Sequence, residues 1–444
     1  MDEILRLIKK EEKRQRETLM MIPSENYTYP EVYKALGSVL MHKYSEGQPD
    51  KRYYQGNIYI DQIEKLAKKR ALELFKLSPK IWDVNVQALS GSPANLAIYN
   101  ALLEPGDKIL SLYLPDGGHL SHGWYLPNRK VTLISKIYNI EFYHIDPKTG
   151  RLDYGEIQKL AVKFKPKLIV SGGTSYPREI DHKKLGQIAH KINAFYLADV
   201  SHEAGLIAGG ANRSPFEHAD AVMMTTHKTL RGPRGALIFS HKTRLPDGQE
   251  LSSKVDSSVF PGIQGGPHNH SIAGIAIALQ KAKTVSFKKY ALQTVINAKK
   301  LADALRSEGL NLVTGGTDKH LILIDLTKNK INSWFIARAL EEIGIIVNRN
   351  AISADGTSPK TIFYPNGIRL GTPALTTRGM KELQMEKLAK IIGKLVKHLG
   401  NREIPENIDM RKKALREFEK EIKTDKQIGR LREEVIKLTK KFPI

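Results

Sequence analysis

The sequence predicts an α/β fold in two parts, a large domain with a mainly parallel central sheet flanked by helices and a smaller C-terminal α+β domain. Short apolar runs alternate with helix-periodic segments between residues 61 and 198, which is typical of strands joined by helices in a parallel sheet. A glycine- and proline-rich segment at 260–267 ends this alternation. With 444 residues, the chain is also long enough for two domains.

The chain divides by pattern into an N-terminal helix and arm at 1–30, a large domain at 31–285 and a small domain at 286–444. Apolar residues at helical spacing predict the first helix over 1–21. Further helices are expected at 32–41, 61–74, 93–102, 154–164, 183–192, 271–305, 334–343 and 380–399, and in the charged final 40 residues. Strands are expected at 82–88, 108–112, 130–134, 168–171, 194–198, 221–224, 236–239, 321–326, 345–347 and 367–370.

The composition is basic, with 70 Lys and Arg against 47 Asp and Glu and a formal charge of +23. Because these charges are spread along the chain and mixed with acids, we interpret them as a solvated surface, and a nucleic-acid-binding protein is the alternative from another class. The absence of cysteine excludes disulfides and cysteine-based metal or redox sites. A charged start and no apolar run of membrane-spanning length predict a cytoplasmic protein that does not contact membranes.

Lys228 is the centre of the most informative stretch. The predicted strand at 221–224 runs into Thr-Thr-His-Lys, and the chain then turns through Gly232 and Pro233. A lysine amine that is desolvated at the end of a strand can form a Schiff base with an aldehyde, although a lone lysine is usually a solvated loop residue. Asp199 ends the preceding strand, where a carboxylate can keep the pyridine nitrogen of pyridoxal phosphate protonated; a helix cap or metal ligand is the alternative.

Two loops that precede Asp199 in the chain contain residues that could contact the phosphate and the ring of such a cofactor. Ser-Gly-Ser-Pro-Ala-Asn at 90–95 follows a strand and opens a helix, so its backbone N–H groups can hold a phosphate; an ordinary helix cap is the alternative. His119 and His122 lie in a glycine-containing loop, where one imidazole could stack on a cofactor ring. A zinc site with His202 as third ligand is the other interpretation, but no zinc spacing motif is present, and we expect no metal.

Glu46 and Arg369 are the remaining candidates. Glu46 lies among tyrosines and basic residues, where a buried carboxyl group can move protons at neutral pH. The alternative is a surface acid paired with Lys51 or Arg52. Arg369 lies within an apolar strand, where a guanidinium usually binds a carboxylate through a two-point fork, unless it forms an internal ion pair.

Together these stretches resemble the serine hydroxymethyltransferase family, whose members are fold-type I pyridoxal-phosphate enzymes. The matching segments span most of the chain in the family's order and are 24–27, 44–54, 90–95, 117–123, 198–202, 225–235, 260–267 and 368–374. The resemblance implies a transferase that interconverts serine and glycine, passes the hydroxymethyl carbon to a reduced pterin, and works as a homodimer with shared active sites. A threonine or allo-threonine aldolase, or another fold-type I activity, is the nearest alternative.

The resemblance also implies a role for each matching residue. Lys228 would carry pyridoxal phosphate as a Schiff base, Asp199 would pair with the pyridine nitrogen, and His119 would stack on the ring. The other implied cofactor contacts are Ser90, Gly91, Ser92, Ser175, His202, His227, Arg234 and Tyr44, with Gly265 and Gly266 from the neighbouring subunit. The implied substrate contacts are Arg369 for the carboxylate, Tyr54, Tyr53, Ser24 and the proton-handling Glu46. Ser24 and Tyr44 lie where the family's dimer partner completes the site. Leu114, Gly118 and Leu120 match pterin-contacting positions.

The pterin itself is left open by departures from the family pattern. Gln48, Gln55 and the segment 353–363 differ from bacterial and eukaryotic members in regions that border the pterin site. The lysine-rich, cysteine-free composition mildly suggests the archaeal type. Tetrahydrofolate and tetrahydromethanopterin are therefore both candidate acceptors.

Overall fold

The computed structural model describes residues 2–444, except for the side chain of Pro359. The helices are α1 Glu3–Glu17, α2 Pro30–Leu36, α3 Ile58–Leu74, α4 Gly91–Leu102, α5 Leu133–Ile137, α6 Tyr154–Phe164, α7 His182–Lys191, α8 Ala204–Ala208, α9 Leu251–Ser257, α10 Asn269–Ala282, α11 Val285–Ser307, α12 Ser333–Glu342, α13 Pro359–Phe363, α14 Pro373–Thr377, α15 Glu382–Leu399, α16 Ile408–Thr424 and α17 Lys426–Lys441.

The strands are shorter and interspersed among these helices. They are β1 Leu19–Met20, β2 Gly47–Gln48, β3 Lys51–Arg52, β4 Trp82–Asn85, β5 Lys108–Leu112, β6 Tyr125–Leu126, β7 Arg129–Lys130, β8 Asn139–Tyr143, β9 Leu168–Ser171, β10 Phe195–Asp199, β11 Ala221–Thr225, β12 Ala236–His241, β13 Asn311–Leu312, β14 Leu321–Asp325, β15 Ile345–Ile346, β16 Asn348–Asn350 and β17 Gly367–Gly371. The chain forms two compact units, one of residues 28–292 and one of residues 2–27 with 293–444.

The unit of residues 28–292 is built on a seven-stranded sheet in the order β4-β12-β11-β10-β9-β5-β8. Strands β11, β10, β9, β5 and β8 are parallel, whereas β12 is antiparallel to both of its neighbours. Helices α4 and α9 cover one face by packing on alternate strand residues such as Leu197, Met223 and Ile238. The predicted α/β fold with a mainly parallel sheet is confirmed.

The other unit contains a four-stranded antiparallel sheet in the order β13-β14-β17-β16 and the last helices of the chain. Its N-terminal segment belongs to it through β1, which pairs with β15 by aligning Leu19 with Ile345. The buried guanidinium of Arg378 donates to the carbonyls of Arg16 and Thr18 at the end of α1, and to those of Thr439 and Phe442 at the end of α17. These contacts satisfy carbonyls that helix ends leave without an intrahelical donor.

One predicted strand is wrong. Residues 130–134 do not form a strand beyond the two residues of β7, and the edge strand of the sheet is β8, five residues further on. Thr132 instead caps α5, because its side chain accepts a hydrogen bond from the Ser135 N–H at 3.3 Å. A short apolar run with threonine before it satisfies both patterns, and the cap favours the helix here.

None of the helices that residues 2–444 form combines the length and the apolar character needed to cross a lipid bilayer.

Candidate active site

The candidate residues of the unit 28–292 lie in loops at the carboxyl ends of its parallel strands. Asp199 is the last residue of β10, Thr225 is the last of β11, and the turn that contains Lys228 follows. The loop 117–123 follows β5, and Ser175 follows β9. Ligands on open parallel sheets bind at this edge, where successive loops meet.

A continuous set of hydrogen bonds joins Lys228 to Asp199. The Lys228 Nζ donates to Thr225 Oγ1 at 2.9 Å. The Thr225 N–H donates to Ser201 Oγ at 3.2 Å, and that hydroxyl donates to Asp199 Oδ1 at 2.6 Å. The amine and the carboxylate therefore belong to one polar network.

Asp199 is buried and ionised. Burial alone would raise its pKa, but hydrogen bonds from His122 and Ser201 and the nearby imidazoles hold the pKa of its carboxyl group well below the ordinary value. Oδ1 accepts from the N–H and the hydroxyl of Ser201, and Oδ2 accepts from His122 Nε2 and Asn95 Nδ2, both at 3.0 Å. Such an anion can stabilise a positive charge placed beside it.

His119 is connected to this carboxylate by hydrogen bonds through two intermediate side chains, Ser121 and Asn95. Its Nδ1 is 2.7 Å from Ser121 Oγ, and that oxygen accepts from Asn95 Nδ2 at 2.8 Å. The His119 and His122 rings are 5.7 Å apart at their centroids. The structure thus brings together His119 and Asp199, two residues that the sequence assigned to one cofactor.

The N-terminus of α4, where the sequence predicts a phosphate cradle, lies beside Thr225, the residue that accepts a hydrogen bond from Lys228. The Ser90 side chain makes no capping hydrogen bond, so its hydroxyl is not used by the helix. A Cβ on Gly91 would lie 2.8 Å from Thr225 Cγ2, which explains why glycine is needed beside the residue that binds Lys228. Ser92 lies in the first turn of the same helix, where backbone N–H groups favour an anion.

His227 adds a buried nitrogen to this cradle. Among residues 2–444, no partner of its Nδ1 is found, and its Nε2 lies 3.5 Å from Arg234 Nη1. Burial, together with the charges of Lys228 and Arg234, lowers the pKa of His227 to about 3. A buried nitrogen without a partner, two cations and a helix N-terminus suit a bound phosphate, so these residues fit pyridoxal phosphate.

The other predicted cofactor and pterin residues lie near these loops. Ser175 is buried, and its N–H donates to the Gly117 carbonyl at 3.3 Å. His202 accepts from Thr229 Oγ1 at 2.9 Å through its own carbonyl, next to the Lys228 turn. Leu114, Gly118 and Leu120 lie in the turns after β5, with Leu120 exposed.

The loop that carries Glu46 is held by the buried side chain of Arg52. Arg52 forms ion pairs with Asp61 at 2.8 Å and Glu64 at 2.6 Å, and it also donates to the Ser45 and Gly47 carbonyls on either side of Glu46. Arg52 pairs with these two carboxylates and not with Glu46, unlike the sequence alternative. The loop is therefore fixed independently of the Glu46 carboxylate.

Five further predicted residues lie in or beside this loop. A Cβ on Gly265 would lie 3.3 Å from Glu46 Oε1, and one on Gly266 would lie 2.9 Å from the Tyr44 ring. The Tyr44 and Tyr54 rings are 5.4 Å apart, with Tyr54 partly exposed. Tyr53 is exposed and contacts Phe260, with ring centroids 5.7 Å apart.

Arg369 and Ser24 belong to the other unit. Arg369 lies in β17 and is 7% exposed, and its Nε donates to Asn348 Oδ1 at 3.0 Å. Burial lowers the pKa of its guanidinium to about 10, which still leaves it positively charged at neutral pH. Ser24 is half-buried in the segment between β1 and α2.

Within residues 2–444, no group of three or more histidine, aspartate or glutamate side chains is arranged to hold a metal ion. His122 faces Asp199, and His119 faces Ser121. The zinc interpretation of these histidines with His202 therefore has no support from their arrangement.

Sequence analysis missed four residues that connect the site, namely Asn95, Ser121, Ser201 and Thr225. Each lies inside or next to a motif that was recognised, so a signal was present. Their neutral side chains carry no chemistry that a pattern could single out, and only the fold shows what they bond to.

Known proteins resemble this chain over most of its length. The family model described as serine hydroxymethyltransferase matches residues 1–392. The mitochondrial serine hydroxymethyltransferase of Kluyveromyces lactis is 44% identical over 453 residues, covering 100% of this chain and 90% of the relative. The cytosolic protein of that name from Candida glabrata is 42% identical, with 100% and 95% covered, and the one from Bombyx mori is 44% identical, with 100% and 96% covered. The chain thus belongs to the serine hydroxymethyltransferase family.

Proposed function

We propose that this protein interconverts serine and glycine with pyridoxal phosphate bound at Lys228, and that it transfers the hydroxymethyl carbon to a reduced pterin. The observation that carries the proposal is the hydrogen-bonded path from the Lys228 amine through Thr225 and Ser201 to the ionised Asp199, next to the free end of α4. Family membership and the fold-type I architecture supply the chemistry that such a site performs.

Bound pyridoxal phosphate would supply an aldehyde for a Schiff base and a protonated ring that withdraws electrons from the substrate Cα. Lys228 would hold the cofactor through its amine, while Asp199, kept ionised by its donors, would stabilise the positive charge on the ring nitrogen. Ser90, Gly91, Ser92 and His227 would hold the phosphate. His119 would lie against the ring.

The other proposed site residues bind the amino acid and the pterin or move protons. The charged fork of Arg369 binds the substrate carboxylate and thereby orients the bond to be broken, which is a positioning effect. Glu46 moves the proton of the serine hydroxyl, and its loop is kept in place by Arg52. Tyr53, Tyr54 and Ser24 complete the substrate contacts, and Leu114, Gly118 and Leu120 contact the pterin.

Turnover of serine to glycine by the purified protein, with and without a reduced pterin, tests the proposal. We expect pterin-dependent glycine formation in the wild type and none in Lys228→Ala, which should also lack the yellow absorbance of the bound cofactor. Parallel reactions with tetrahydrofolate and tetrahydromethanopterin identify the acceptor. Cleavage of allo-threonine without any serine turnover would replace this proposal with an aldolase.

A further inference from the structure

The amide of Asn95 contacts two groups that the proposed function places at different parts of the cofactor. Its Nδ2 donates to Asp199 Oδ2 at 3.0 Å and to Ser121 Oγ at 2.8 Å. Ser121 Oγ lies 2.7 Å from His119 Nδ1. One fully buried side chain therefore links the carboxylate for the ring nitrogen to the imidazole for the ring face.

The direction of each hydrogen bond follows from the groups available. An ionised carboxylate only accepts, so Asn95 must turn its NH₂ group toward Asp199. Because Ser121 Oγ accepts from that NH₂ group, its own hydrogen is available for His119 Nδ1. The Ser121 N–H donates to the same Nδ1 at 3.1 Å, so Nδ1 is an acceptor and the proton of this tautomer is on Nε2.

This arrangement leaves the Oδ1 atom of Asn95 without a hydrogen-bond donor among the described residues. The atom is also buried. A buried acceptor without a partner costs stability, and a leucine of similar size would avoid that cost. Packing does not explain an amide here, whereas the two bonds donated by its nitrogen do.

We propose that Asn95 is a positioning residue, which holds the Asp199 carboxylate and, through Ser121, the His119 imidazole in the orientation that binds the cofactor ring. The inference rests on the proposed function, because it assigns both groups to pyridoxal phosphate. Asn95 acts through these two neighbours.

Asn95→Leu tests the role, because leucine keeps the volume and removes the donors. Asn100→Leu is the matched control, since Asn100 lies on the same helix and donates to Ser258 Oγ at 3.0 Å. Titration of each apoprotein with pyridoxal phosphate, followed by absorbance, gives the dissociation constant. In Asn95→Leu we expect the dissociation constant to be about tenfold higher than in the wild type, or higher still, as for the loss of a hydrogen bond to a charged group. The control should keep the wild-type affinity.

Ser121→Ala separates the two branches, because it leaves the Asn95–Asp199 bond intact. Its expected results are a smaller loss of cofactor affinity and a changed ¹⁵N signal of His119 Nδ1 in the apoprotein. Should Asn95→Leu fail to fold by circular dichroism, this variant decides alone, and an unchanged signal with unchanged affinity overturns the inference.

The outcomes also distinguish this inference from the proposed function. If wild-type protein does not bind pyridoxal phosphate, both are wrong. If the wild type binds it and Asn95→Leu binds it equally well, the site is real and only the role of Asn95 is wrong.

Discussion

His227 is the residue whose environment most clearly predicts a dependence of stability on pH. Its pKa is about 3 in the folded chain, against an ordinary value of 6.5, because burial and nearby cations disfavour the charged ring. As the pH falls below 6.5, the unfolded chain therefore binds a proton at His227 and the folded chain does not. The stability that the neutral ring contributes is fully present above pH 6.5 and is lost between about pH 6.5 and 3.

Urea denaturation of the apoprotein at pH 7 and pH 5 measures this loss. We expect the free energy of unfolding to fall by about 2 kcal/mol less in His227→Gln than in the wild type. Asp199 does not interfere, since its lowered pKa affects stability only at more acidic pH, below about 4. His42→Gln, at an exposed position, is the control and should follow the wild type. Parallel pH dependence of wild type and His227→Gln would contradict the assignment.

Arg369 permits a test of the carboxylate site. Its guanidinium is buried in β17 and remains charged, so removing it should weaken serine binding by about 2–5 kcal/mol, the usual loss for a buried charged pair. Serine titration of the cofactor-loaded protein by absorbance measures the change in Arg369→Ala. The exposed Arg349 of the neighbouring strand provides the control Arg349→Ala, with unchanged serine affinity expected.

Two results would count against this role for Arg369. Unchanged serine affinity in Arg369→Ala would remove the carboxylate contact. A large loss of stability with normal serine affinity would favour the internal ion pair instead.

Charged residues of the site were predictable from sequence, whereas the neutral residues between them were not. Lys228 and Asp199 stand out because a charged group at the end of an apolar strand needs an explanation. Thr225 and Ser201 join them through hydroxyl groups that are common in any loop. Distances between strand ends decide which hydroxyl bonds to which charge, and these distances are a property of the folded sheet.

At the scale of elements, the same limit appears where local patterns are ambiguous. Long periodic segments such as α3 and α15 were recognised, because each has several turns of amphipathic pattern. The strand predicted at 130–134 was wrong, because one threonine cap outweighs three apolar residues there. The pairing of β1 with β15 joins segments more than 300 residues apart, and nothing local predicts it.

The hairpin of β2 and β3 is held against α3 by the ion pairs of Arg52, and this contact predicts how the hairpin contributes to stability. Arg52 is 4% exposed in its side chain and pairs with Asp61 and Glu64, so Arg52→Ala leaves the nearly buried Glu64 carboxylate without its cation. We expect a loss of about 3–5 kcal/mol in the free energy of unfolding, measured by urea denaturation. Arg52→Lys should not restore it, because an ammonium cannot replace the planar fork.

The control for Arg52 is an exposed pair in the same unit. Arg213 lies 3.6 Å from Glu179 with 73% of its side chain exposed, so Arg213→Ala should cost only about 0–1 kcal/mol. Similar losses for both variants would mean that burial does not make the Arg52 pairs important.

For the whole molecule, the charge of +23 raises the alternative of nucleic-acid binding. Fluorescence anisotropy with a single-stranded RNA, measured over a range of salt concentrations, tests it. We expect no binding at moderate salt, because the charges form no recognised nucleic-acid module. Tight binding that persists there would reopen this alternative as a second role.

The predicted homodimer has a physical basis in the surface of residues 28–292. Large apolar side chains are exposed on α2, on the following turn and at the start of α3, including Tyr33, Val39, Ile58 and Tyr59. All three segments pack against α10. Exposed apolar surface of this kind marks an interface. Ile58→Glu with Tyr59→Glu should therefore shift the sedimenting species from dimer to monomer, whereas Val162→Glu on α6 should not.

If the two subunits of the dimer share their active sites, two inactive variants should complement each other. The resemblance assigns Tyr44, Gly265 and Gly266 to the partner's site. Gly266 lies beside the Tyr44 ring within one chain, so these residues would enter that site as a single block. Lys228→Ala and Tyr44→Ala should each be inactive. Mixing them after reversible dissociation should restore about a quarter of wild-type serine turnover, because half of the dimers are mixed and each has one intact site. If mixed dimers form, as detected by two different affinity tags, and stay inactive, each site is built from one chain only.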